Sequence, residues 1–76
     1  MFTIETITAF VSVGKDGEEG VIGQLMGDHW MPFVCADEKR VEQILPICKD
    51  LCDRTGVEFK ILRFSTRTDV TKEYIP

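Results

Sequence analysis

One stretch constrains the fold of this chain more than any other: residues 37–56, DEKRVEQILPICKDLCDRTG. Val41, Ile44, Leu45, Cys48, Leu51, Cys52 and Thr55 recur at spacings of three and four, which gathers them into one apolar stripe on an α-helix. Glu38, Lys39, Glu42, Lys49, Asp50 and Asp53 fall on the opposite, wet side. Asp37 is suited to cap the orphan amides of the first turn, and Glu38 stands near the positive end of the helix dipole. Gly56 supplies a left-handed stop, with Arg54 in the last turn. Pro46 lies inside the stretch, removes one intrahelical bond and predicts a kink in a single helix, because the stripe runs unbroken through it. A stripe of this kind needs an apolar surface beneath it, and the rest of the chain reads as strand.

Residues 3–13 alternate as a first strand, with Ile7, Ala9, Val11 and Val13 on one side and Thr6, Thr8, Phe10 and Ser12 on the other. Asp16-Gly17 is a hairpin signal, and residues 19–26 return as a second strand. Gly20 and Gly23 point to a bulge or a close backbone approach within it. Residues 30–36 form a third strand, placed at a sheet edge because Pro32 cannot donate to a ladder. After the helix, residues 57–66 form the fourth. The expectation is a small α+β two-layer sandwich: a four-stranded mixed sheet in the sequence β-β-β-α-β, spatial order 4-1-2-3, with one helix on one face. Residues 1–76 make one α+β domain, with 68–76 as a short C-terminal tail.

Thirteen acids against nine bases leave a net charge of −4, a poor footing for nucleic acid or anionic lipid. The apolar runs fall short of a membrane span, and MFTIETITAF lacks the basic region of a secretory signal. Three cysteines, an odd number, suit a reducing compartment, so the expected location is the cytoplasm.

One helix covers one face of such a sheet. Placed over Ile7, Ala9, Val11 and Val13, it leaves Phe10, Ile22, Leu62 and Phe64 on the other face, with Trp30 or Met31, and Phe33, beside them according to register. A contiguous apolar patch of this kind marks an interface. The sequence reading is therefore a non-enzymatic protein-interaction module. It forms a homodimer or docks onto another protein through Phe10, Ile22, Trp30, Phe33, Leu62 and Phe64, with no catalytic residue and no cofactor. The competing cover for that face is the tail, through Val70, Tyr74 and Ile75.

A second reading is structural zinc. Cys48 and Cys52 share a helix face, Cys35 ends the third strand, and His29 precedes it, which makes a Cys₃His set. The cysteines sit on the apolar stripe, however, where free cysteine packs as a small hydrophobe. A Cys35–His29 nucleophile pair is weaker still: Asp37 and Glu38 oppose a thiolate beside them. No Gly-Lys-Ser/Thr phosphate loop or isolated carboxylate pair is present.

Overall fold

In a computed structural model, which describes residues 3–75, the chain is an α+β fold built on one central strand. That strand is β1 (Ile7–Val13), and every sheet pairing it makes is antiparallel. On one side it pairs along most of its length with β6 (Phe59–Phe64), from Ile7 opposite Phe64 to Ser12 opposite Phe59. On the other side two short strands share its edge. The upper half, Val11 to Val13, pairs with β2 (Glu19–Val21), and Thr8 and Ala9 pair with β5 (Val34–Cys35). Between them the chain leaves as β3 (Gly23–Met26) and comes back as β4 (His29–Pro32), a hairpin that forms a two-stranded sheet of its own.

The fork lies at Phe10. Its N–H donates to the Phe33 carbonyl at 3.0 Å, and its carbonyl accepts from the Ile22 N–H at 2.9 Å. The Phe33 N–H closes the ring onto the Ile22 carbonyl at 2.7 Å. Three backbone hydrogen bonds thus satisfy the groups that a splitting strand would otherwise leave unpaired. Gly23 stands at the root of the hairpin because a Cβ there would meet the Met31 carbonyl oxygen at 2.5 Å and the Trp30 ring at 2.8 Å.

This fork corrects the expected strand order. The third strand does not lie outside the second and parallel to the first: its last two residues come back to β1, antiparallel. The second strand breaks at Ile22 and the third at Phe33, and each break frees one half to reach the central strand.

The helix α1 runs Glu38–Thr55, continuous through Pro46. Asp37 is its N-cap, accepting from the Lys39 N–H at 2.9 Å, and Gly56 its left-handed stop at φ 73°. Its buried residues are Ile44, Cys48 and Cys52, packed against Phe10, Ile22, Phe33 and Cys35 of the strands. Phe10 and Phe33 meet edge to face with ring centroids 6.3 Å apart, and both are fully buried. The tail ends in a single turn, α2 (Thr71–Tyr74), held by Asp69, whose Oδ1 accepts from the Thr71 N–H at 2.9 Å.

Candidate functional site

The side of the sheet on which each residue lies follows from the pairings, because residues directly opposite in a ladder share a face. Phe10 faces Ile61, Ser12 faces Phe59, and Thr8 faces both Arg63 and Cys35. These residues share the face under α1. The other face therefore carries Ile7, Ala9, Val11, Leu62 and Phe64, with Val21 opposite Val11 and Val34 opposite Ala9. Along the hairpin the same alternation brings Leu25 and Trp30, a cross-strand pair, to this side.

Three of the six expected interface residues are thus misplaced. Phe10, Ile22 and Phe33 lie in the core under the helix and are not on the uncovered face. The reason is volume. The buried positions of α1 are Ile44 and two cysteines, a thin stripe that leaves room for large side chains from the sheet, and phenylalanines fill it. The aliphatic face of β1 is left outward. Leu62 and Phe64 do lie on the uncovered face, and Trp30 lies on the hairpin beside it.

That face is apolar and open. Val21 is 51% exposed, Phe64 53% and Trp30 57%, whereas Ala9 and Val11 at the centre are buried between their neighbours. Among the described residues its one ion pair spans β1 near one end: Lys60 Nζ lies 2.5 Å from Glu19 Oε2. The tail does not cover it, since Val70, Tyr74 and Ile75 are all exposed.

The thiols lie elsewhere, buried on the helix side of the sheet. Cys48 Sγ and Cys52 Sγ stand 4.0 Å apart inside the core. Burial pushes the Cys48 thiol up to about 12, with the neighbouring Cys52 adding to the shift. Burial also raises Cys35; Arg40 partly opposes the rise and Asp37 adds to it. A thiol so protonated is neither a ready nucleophile nor a ready ligand. Cys35, Cys48 and Cys52 are buried whereas His29 is exposed on the hairpin. Among the described residues no group of three or more histidine, cysteine, aspartate or glutamate side chains could hold a metal ion. Sequence spacing alone could not separate shared membership of a stripe from convergence on a point.

The chain matches no protein-family model, no curated protein and no solved structure. Among the described residues no helix is long and apolar enough to cross a membrane.

Proposed function

We propose that this chain is a non-enzymatic protein-interaction module that self-associates through the uncovered face of its sheet. The observation that carries the reading is the exposed ring of Ile7, Val21, Val34 and Phe64 around buried Ala9 and Val11. An aliphatic sheet face left in water is costly, and antiparallel sheets that are wet on one side normally show polar residues there.

The occupant is a second copy. Among the described residues of the paired strands the face carries Lys60 and Glu19, already paired, and Glu58 opposite Val13, so its charges gather toward one end and leave the apolar centre free to meet a second copy. Strand spacing and rise give the face and hairpin a footprint of roughly 450 Å². Two copies face to face cover about 900 Å², close to the roughly 1,000 Å² at which an interface becomes credible. Leu25 and Trp30 extend the contact beyond the sheet. Three unpaired thiols favour a reducing compartment, and the cytoplasm is the location we infer.

The test is the double variant Val21→Lys with Val34→Lys. Both residues are exposed, so the isolated fold should change by no more than about 0.5 kcal/mol for each. Sedimentation should show fewer copies per particle than in the wild type. An unchanged sedimentation coefficient with an intact circular dichroism spectrum would reject the reading.

A further inference from the structure

The outer edge of β6 is a second surface, independent of the sheet face. The Val13 N–H donates to the Glu58 carbonyl at 3.0 Å, which fixes the phase of the ladder. By alternation, Lys60, Leu62 and Phe64 turn their backbone groups toward β1, whereas Phe59, Ile61 and Arg63 turn theirs away. Among the described residues no strand pairs on that outer side. Six residues in continuous register, with neither bulge nor proline, leave three N–H and three C=O groups on an open edge.

Edges of this kind are normally guarded by charge, most often by lysine. Two guards are present in β6, and both are drawn off. Lys60 reaches across the open face to Glu19, and Arg63 reaches to the start of α1, its Nη2 2.6 Å from Glu38 Oε1. Each cation is neutralised and pulled inward over a face of the sheet. What remains at the edge is Ile61, 42% exposed, flanked by backbone.

We propose that this edge pairs with β6 of a second copy, antiparallel, across a two-fold axis beside Ile61. The strand is self-complementary in that register. Ile61 meets the partner's Ile61, Phe59 lies opposite the partner's Arg63, and Lys60 lies opposite the partner's Leu62. No like charges stand directly opposite, and outward-turned residues meet outward-turned residues, as backbone pairing requires. The axis is perpendicular to the sheet, so both helices stay on one side and the two open faces merge into one. That merger matters because a single face is near the lower limit of a stable contact. The pairing stands on the edge alone; combined with the face contact proposed above, its crossed two-fold axes close an assembly of four copies.

Native mass spectrometry on the full chain under reductant tests it, with Ile61→Pro as the first variant. Proline there removes an N–H that points away from β1 and leaves the ladder to β1 its donors. Ile61→Lys, which puts a free cation on the edge, is the second variant and decides the matter if the proline variant loses its circular dichroism signal. The wild type is expected as four copies, either Ile61 variant as two, and either combined with Val21→Lys and Val34→Lys as one. Wild-type copy number in the folded Ile61 variants overturns the strand pairing and leaves the face reading standing. Halving by the Ile61 variants alone, with the valine variants unchanged, upholds the pairing and removes the face reading. A wild type that stays a single copy overturns both.

Discussion

Cys48 is fully buried, and the titration of its thiol should be felt by the whole fold. The native state keeps a proton that the unfolded chain gives up near the ordinary thiol value of 9.0. Stability is therefore complete below that pH and falls as pH rises toward about 12. The slope should approach 1.4 kcal/mol per pH unit, roughly, once the unfolded thiol is ionised. Thermal melts under reductant between pH 8 and 11 should show this decline, and Cys48→Ala should flatten it from a lower starting stability. Parallel slopes in the two proteins would assign the alkaline loss to other groups. The sequence showed Cys48 and Cys52 on an apolar stripe, and that much was legible from spacing. The 4.0 Å approach of their sulfurs was not, because it depends on rotamers that only packing decides.

At the scale of elements, α1 was the most legible part, since its cap, stop and stripe are all local signals. Asp37, Gly56 and the buried Ile44, Cys48 and Cys52 lie where periodicity put them. Asp37→Ala should cost about 1 kcal/mol by orphaning the Lys39 N–H. In a domain of this size that lowers the melting temperature by roughly 4–8 °C. A change below 1 °C would mean that water replaces the cap. The exposed Arg63–Glu38 pair beside it should contribute far less to stability. The strands were legible in position, since the four expected segments contain or overlap all six observed ones, but not in number or in facing. Alternation tells which residues share a side but not which side the helix takes, and both sides of β1 carry apolar residues. The choice fell to the match between a thin helical stripe and two phenylalanines. The breaks at Ile22 and Phe33 were hinted at only by Gly23 and Pro32, and the ring of bonds at Phe10 is a non-local consequence of where three segments meet.

For the whole molecule, the core is small: among the described residues seven buried apolar side chains form it under the helix, and Ala9 and Val11 are buried on the other face of the sheet. A domain of this length buries a modest fraction of its unfolded surface and has little stability in reserve. Under the proposed self-association, folding and assembly are linked, and the melting temperature should then rise with protein concentration. The lysine variants of Val21 and Val34 extend the same test: they should weaken that dependence as well as reduce the copy number. The candidate surface was legible as an idea, that one helix cannot cover two apolar faces. Its residues were only half legible, because alternation carries no information on the side-chain volumes that decide which face of β1 the helix takes.

The fork at Phe10 has a consequence for how the protein can be re-engineered. The Phe33 N–H reaches the Ile22 carbonyl at 2.7 Å, the same bond that closes a four-residue β-turn. The ten residues from Gly23 to Pro32 are therefore a detachable cassette whose two ends already touch. A two-residue Asn-Gly link could replace them, trimming the chain to a helix over the four strands β1, β2, β5 and β6. A foreign loop spliced at the same joint would be held by the same backbone bonds, with only the packing of Met31 lost from the edge of the core.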